Sequence, residues 1–329
     1  MNTAVLGAGA MGTLCSLILC NRPGRRVTLW GHRKSNVDDI ALRRENRRLL
    51  PGVPLPEALV VTSEIDEAVR DVECLVVAIP SAYLRETLRD LAARIPANLP
   101  VVSVIKGIEN STFRRPSEIV LETIGPRPVV VLSGPCHAEE AARGLPATLV
   151  AASSDLPWAE RVRDEFSTES FRIYTNTDIV GVELAGALKN VMAIAAGICD
   201  GLGYGDNAKS ALITRGLVEM TRFVVALGGD AATLAGLAGV GDLITTCISP
   251  HGRNRHVGQR LGQGESLAAI TASMSSVAEG VTTCGGVHAI AAAKGIRMPI
   301  ANEVYEVLFN GKAAADAARD LMHRPAGHE

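Results

Sequence analysis

The chain opens on a pattern that admits few folds. Thr3–Leu6 (TAVL) runs straight into Gly7-Ala8-Gly9-Ala10-Met11-Gly12, and a helix-like segment, Thr13–Cys20, follows. Strand, G-x-G-x-x-G and helix in that order form the first unit of a dinucleotide-binding α/β fold. Gly7 permits the tight turn out of the strand, Gly9 lets the backbone approach a pyrophosphate, and Gly12 lets the helix pack close to the strand. The helix start then presents unpaired N–H groups and a positive dipole end to the phosphates. A purely structural turn is the competing reading, and the flanking strand and helix weigh against it.

The same alternation continues. Arg26–Trp30 (RVTLW) alternates like a second strand, while Cys74–Ile79 (CLVVAI), Val101–Ile105 (VVSVI) and Val129–Leu132 (VVVL) are continuous apolar runs of the kind buried parallel strands show. Helix-period segments lie between them, notably Tyr83–Arg94. Ala147–Ala152 and Phe171–Tyr174 read as the last strands, and small residues and helix formers dominate after Thr177. The expected architecture is an N-terminal Rossmann-type doubly wound α/β sheet over residues 1–181, with right-handed crossovers, then an all-α domain over 182–329.

Composition narrows the function. The net charge of −2 and 3% aromatic content give no nucleic-acid surface. Arg43–Arg48 (RRENRR) reads as the solvated face of a surface helix. The 7 cysteines are scattered without a C-x-x-C pair, which suggests reduced thiols in a cytoplasm, with neither a disulfide framework nor a zinc knuckle. His251 and His256 lack a Cys or carboxylate at ligand spacing, so no metal site is expected. No basic leader precedes Thr3, and both Leu14–Cys20 and Val191–Ile198 are too short to span a bilayer, so no membrane insertion is expected.

Two local features point to redox chemistry. At the end of the second strand, where an NAD site usually places an acid for the ribose, this chain has Gly31-His32-Arg33-Lys34 and no acid before Asp38. A cationic cluster suits a 2′-phosphate, which favours NADP(H) while allowing NAD(H). An ordinary solvated loop remains the alternative for Arg33 and Lys34. In the second half, Lys189 and Asn190 interrupt the small apolar run AGALKNVMAIAAG. Burying a lysine there is costly unless it has partners or a task. Burial also lowers its pKa toward the working pH, which suits a proton donor in a hydride transfer. A snorkelling surface lysine is the weaker reading, because the flanks are too apolar for a solvated face. Asp242, in Gly239-Val-Gly241-Asp242, reads equally well as a carboxylate aimed at the lysine or substrate and as a cap on Leu243–Cys247.

These residues belong to a recognisable ensemble. GAGAMGT (Gly7–Thr13), LWGHR (Leu29–Arg33), IKGIE (Ile105–Glu109), SGPCHAEE (Ser133–Glu140) and the long segment Gly181–Gly216 are followed in order by Gly236–Cys247, Arg253–Arg255, Leu261–Gly264, Ala278–Val281 and Met298–Ile300. The chain resembles the bacterial NAD(P)-dependent sn-glycerol-3-phosphate dehydrogenase family over nearly its whole length. The resemblance implies interconversion of dihydroxyacetone phosphate and sn-glycerol 3-phosphate, feeding phospholipid synthesis, by a homodimer. It implies Lys189 as proton donor and acceptor, with Lys106, Gly134, Asp242, Arg253 and Asn254 at the substrate. It places Ala10, Met11, His32, Lys106, Ala138, Arg253, Val277 and Glu279 near the nucleotide.

The residue types fit those tasks. A phosphate dianion needs fixed donors, and the planar Arg253 guanidinium can hold two of its oxygens together. Arg255 and Arg260 read as surface charges. Lys106 and Gly134 follow strands, at the carboxyl edge of the sheet where ligands bind in such folds. His137 reads as a loop residue rather than a catalyst. Three departures from the family pattern stand out: Cys136 and Gly252 replace hydroxyl-bearing residues, and Val281–Cys284 lacks the usual basic pair. Gly252 still offers its backbone N–H. A β-hydroxyacid dehydrogenase and an NAD(P)H-sensing module without turnover are the alternative functions.

Overall fold

The computed structural model describes residues 1–274 and 278–325. The strand that opens the chain lies inside an eight-stranded sheet. In chain order the strands are β1 (Thr3–Leu6), β2 (Val27–Trp30), β3 (Val60–Thr62), β4 (Cys74–Val77), β5 (Val101–Ser103), β6 (Val129–Ser133), β7 (Ala147–Ala152) and β8 (Phe171–Asn176). In space they run β3-β2-β1-β4-β5-β6-β7-β8. Chain order reverses between β1 and β4, so the carboxyl ends of these two strands open a crevice, as in doubly wound sheets generally.

Every strand read from the sequence is present, and two features differ. β3 was not anticipated, because three residues, two of them half-buried, are too short a run to show alternation. The sheet is also not uniformly parallel: β6 and β7 pair antiparallel, with Val131 opposite Ala152. The link between them carries a single helical turn, α6 (Ala138–Ala141), too short to return the chain across a face of the sheet.

Helices cover both faces. α1 (Ala10–Cys20) and α7 (Leu156–Phe166) pack on the face that carries Val5, Leu29, Val76 and Val102. α4 (Ser81–Leu91) and α5 (Pro116–Ile124) pack on the face of Ala4, Leu6, Leu75 and Val77. Strands buried on both sides have no polar face to present, which is why they read as continuous apolar runs. α2 (Lys34–Arg43) and α3 (Ile65–Ala68) complete the first half.

After β8 the described residues are helical. α8 (Ile179–Gly201) is the axis, and every residue from 181 to 198 is buried. Asp178 caps it, accepting a hydrogen bond from Gly181 N at 2.8 Å, and also accepts from Asp230 N and Thr233 Oγ1. Around it lie α9 (Asp206–Ala226), α10 (Ala231–Leu234), a π-helical turn over Leu237–Gly241, α11 (Asp242–Ile248), α12 (Arg253–Gly262), α13 (Leu267–Ser273), α14 (Glu279–Lys294), α15 (Pro299–Phe309) and α16 (Ala314–Met322). The apolar run at Val191–Ile198 is therefore part of a 23-residue helix long and apolar enough to cross a membrane, and not a short segment. Its apolar surface is covered by the protein's own helices.

α8 meets α12 backbone to backbone. Each carries two glycines four residues apart, Gly197 and Gly201 facing Gly258 and Gly262. A methyl group added at Gly258 would sit 1.9 Å from Ile194 O, and one at Gly197 would sit 2.0 Å from Arg255 O. Only hydrogen fits, so glycine here serves close approach. Gly258→Val is expected to lower the thermal unfolding midpoint by ~5 °C or more, because overpacking of this kind costs about 3 kcal/mol. A midpoint within a degree of wild type, read by circular dichroism, would show that the two helices can part without loss.

Candidate active site

The site gathers where the sheet's carboxyl edge meets α8 and α11. Lys189 projects from the middle of α8, and its side chain is only 8% exposed. Its Nζ donates to Asp242 Oδ1 at 2.5 Å and to Thr246 Oγ1 at 2.7 Å. Lys106, in the turn after β5, donates to the other carboxylate oxygen at 2.7 Å and to Gly134 O at 2.9 Å. One buried carboxylate thus bridges two ammonium groups. Asp242 is the first residue of α11 and points inward, which decides between its two readings: the cap position belongs to Gly241.

The charges set one another. Burial pushes the Lys189 ammonium down to about 8, with the nearby Lys106 charge acting the same way and Asp242 opposing. Burial raises the Asp242 carboxyl, but the two lysines more than offset this and hold it below the ordinary carboxylate range. The result is an ammonium that can lose or regain its proton near neutral pH, beside a carboxylate that stays ionised.

Glycines make the room. At Gly186, one turn before Lys189, an added methyl would meet Ser133 Oγ at 2.9 Å and Lys106 Cγ at 3.5 Å. Gly134 adopts φ +137°, a conformation side chains rarely take, and an added methyl would lie 3.0 Å from Leu149 Cα.

Asn190 turns toward the neighbouring loop. Its amide donates to Lys106 O at 3.1 Å, and its Oδ1 accepts from Asn254 Nδ2 at 2.9 Å. Asn254 in turn accepts from Gly280 N at 2.9 Å. This chain of amides ties α8, α12 and α14 together beside the lysine pair. Arg253, one residue earlier, is exposed and has no ion pair among the described residues. Its neighbours differ: Arg255 pairs with Asp200 at 2.6 Å and Arg260 with Glu265 at 2.5 Å. Gly252 is buried at the cap of α12, and its N–H donates to Ser249 O at 3.2 Å, so it is not the free phosphate donor expected from the sequence: the turn before α12 uses it.

The glycine-rich turn fits a dinucleotide. Gly7 has φ +121°, and a methyl there would strike Ala78 O at 2.6 Å, across the crevice between β1 and β4. One on Gly12 would strike Gly7 O at 1.9 Å, whereas one on Gly9 would meet nothing within 4 Å. The turn is thus closed against protein at its first and third glycines and open over the start of α1, where Ala10 and Met11 offer free N–H groups. Asn46 braces it. Its buried amide donates to Ala8 O at 3.1 Å and to Thr13 Oγ1 at 2.9 Å. The RRENRR patch is therefore not a solvated helix face. α2 ends at Arg43, the Arg44 guanidinium donates to Leu59 O at 2.9 Å, and Asn46 is wholly buried.

The remaining nucleotide candidates line the same edge. His32 and Arg33 are exposed after β2, and neither has an ion pair among the described residues. Lys34 forms an exposed pair with Asp38 at 2.8 Å one helical turn on, which leaves Arg33 as the permanent cation of the cluster without an ion pair among the described residues. Ala138 is buried at the start of α6. Glu279, at the start of α14, reaches the start of α4 and accepts from Ser81 N at 3.2 Å. Burial holds its carboxyl above the usual range, against the pull of that N–H and of Arg253, Lys106 and Lys189. Val277 lies outside the described residues. Thr246 and Asn46 were missed. Thr246 carried a signal, since it lies four residues after Asp242 and so shares its face of the helix.

The family models for the NAD-dependent glycerol-3-phosphate dehydrogenase N-terminus and C-terminus match residues 2–159 and 178–319. The chain belongs to this dehydrogenase family. A glycerol-3-phosphate dehydrogenase [NAD(P)+] of Chlorobium limicola is 50% identical over 98% of both chains. That of Chlorobium phaeobacteroides is 48% identical, again over 98% of both. Among solved structures, the glycerol-3-phosphate dehydrogenase of Coxiella burnetii superposes with a TM-score of 0.95 at 36% identity, covering 98% of this chain and 99% of that one. The expected fold class, a Rossmann-like sheet followed by a helical half, is that of this dehydrogenase family.

Proposed function

We infer that this chain interconverts dihydroxyacetone phosphate and sn-glycerol 3-phosphate with NAD(P)(H). The observation that carries the reading is the buried Lys189–Asp242–Lys106 cluster at the sheet's carboxyl edge, in a chain of this family. The family assignment supports neither the hydroxyacid nor the sensing alternative.

A bound nicotinamide supplies the hydride to carbon. The chain's own residues manage the oxygen. Lys189 gives its proton to the developing alkoxide and takes it back in the reverse direction, while its charge stabilises that oxygen. Asp242 holds Lys189 and Lys106 in place, and Lys106 with the Gly134 turn borders the substrate. Arg253 holds the phosphate end, the Gly252 N–H being taken by Ser249 O, and Asn254 fixes α12 through Asn190. The Gly7–Gly12 turn, Ala10, Met11, His32, Arg33, Ala138 and Glu279 border the dinucleotide. His32 and Arg33 support NADP(H) as the preferred form.

Loss of absorbance at the reduced-nicotinamide band tests the activity, with dihydroxyacetone phosphate and either NADPH or NADH. No consumption with either coenzyme would sink the reading. Arg253→Ala is expected to raise KM for dihydroxyacetone phosphate about tenfold or more with a smaller change in kcat, since hydrogen bonds to charged groups are worth about 1.5–3 kcal/mol. An unchanged KM would move the phosphate elsewhere.

The division of labour near residue 181 is part of the same proposal, with the dinucleotide held by residues 1–181 and the reacting lysine supplied by 182–329. The seven unpaired cysteines support a cytoplasmic setting. Exposed Val218 and Val225 on α9 give a homodimer apolar surface to use. Supply of glycerol 3-phosphate to phospholipid synthesis is the proposed role in the cell.

A further inference from the structure

One ionisable side chain beside the phosphate end has no task in this scheme. His137 follows the Gly134-Pro135 turn and leads into α6. Its Nε2 is buried and has no hydrogen-bond partner among the described residues. A buried polar nitrogen without a partner is costly and calls for an explanation. The imidazole lies 5.9 Å, centre to centre, from that of His251, two residues before Arg253. His137 thus faces the loop that leads into Arg253, the proposed phosphate donor.

We propose that His137 is a specificity-determining residue whose Nε2 hydrogen-bonds a phosphate oxygen of the bound three-carbon phosphate. The proposal rests on the function inferred above. It explains the idle nitrogen, because a neutral imidazole protonated at Nε2 is a donor and a phosphate oxygen an acceptor. The surroundings keep the ring neutral. Burial lowers its proton affinity, Lys189 on α8 and Lys106 after β5 act the same way, and Glu139 and Glu140 on α6 oppose them. Glu140 also approaches His251 Nε2 at 3.8 Å. The neighbouring Cys136 thiol, pushed up to about 11 by burial, stays neutral. A phosphate therefore meets a donor that adds little charge to a site already holding two ammonium groups.

The test compares wild type, His137→Leu and His137→Gln in steady-state kinetics at saturating NADPH. Dihydroxyacetone phosphate and unphosphorylated dihydroxyacetone are the two substrates. His137→Leu is expected to raise KM for the phosphate about tenfold or more, with kcat within about threefold. His137→Gln, which keeps an N–H, is expected to stay within about threefold of wild type. The kcat/KM for dihydroxyacetone is expected to be the same in all three. An unchanged KM in His137→Leu, or an equal loss on both substrates, would overturn the proposal. If wild type fails to reduce dihydroxyacetone phosphate, the function reading has failed instead. Inorganic phosphate binding by calorimetry then still decides the contact: weaker binding in His137→Leu supports it and equal binding refutes it.

Discussion

Lys189→Ala is expected to lower turnover of dihydroxyacetone phosphate by ~10³-fold or more while leaving NADPH affinity within a few-fold. General acid catalysis contributes about 10²–10⁴-fold, and the lost ammonium also withdraws charge stabilisation from the alkoxide. The fold is expected to survive, because Asp242 keeps Lys106 as its ion-pair partner at 2.7 Å. In wild type the same group sets a pH limb. Its folded value of about 8 means that the proton donor is present below that pH and lost above it. Ketone reduction, followed as kcat/KM, is therefore expected to fall as pH rises through about 8, and alcohol oxidation to rise. Stopped assays and NADPH fluorescence titration measure the two halves of the prediction. A variant that keeps more than a few per cent of wild-type turnover would place the proton donor elsewhere.

The sequence showed the two lysines more plainly than the carboxylate that joins them. Lys189 announced itself because an ammonium in a run of alanine and leucine has no inexpensive location. Gly7 and Gly12 were legible for the same kind of reason, and the distances to Ala78 O and Gly7 O give those two glycines their physical content. Asp242 was ambiguous, since a carboxylate after a glycine turn caps a helix as readily as it pairs with a lysine. Only the placement of α11 against α8, 53 residues apart in the chain, separates the two. The arginine-rich patch misled because charge density says nothing of direction. Arg44 takes a left-handed conformation, which turns the chain and buries Asn46 beneath the glycine-rich turn. The antiparallel β7 was hidden too, because strand direction depends on the length of α6 and not on the apolar pattern of Ala147–Ala152.

Asp242→Asn should be nearly as damaging, for a different reason. The substitution keeps the shape and removes the charge that both Lys189 and Lys106 face. Asp242 raises the proton affinity of Lys189 through its charge and its hydrogen bond, so removing it leaves burial and Lys106 acting together to lower it. At pH 7 Lys189 then spends more time neutral, and reduction is expected to fall by about 10²-fold, with the pH limb moving below 8. The same shift appears in stability. The unfolded lysine titrates near 10.5, while the folded one titrates at about 8 in wild type and lower in the variant. Between the folded and unfolded values the unfolded state binds more protons, so stability rises with pH. Breaking a buried ion pair costs about 3–5 kcal/mol where the orphaned charges must persist, and less where a lysine can shed its proton. The gap in thermal midpoint between wild type and Asp242→Asn should therefore be wider at pH 6 than at pH 9. A gap that is constant or widens toward alkaline pH would mean that the carboxylate is not what keeps Lys189 charged.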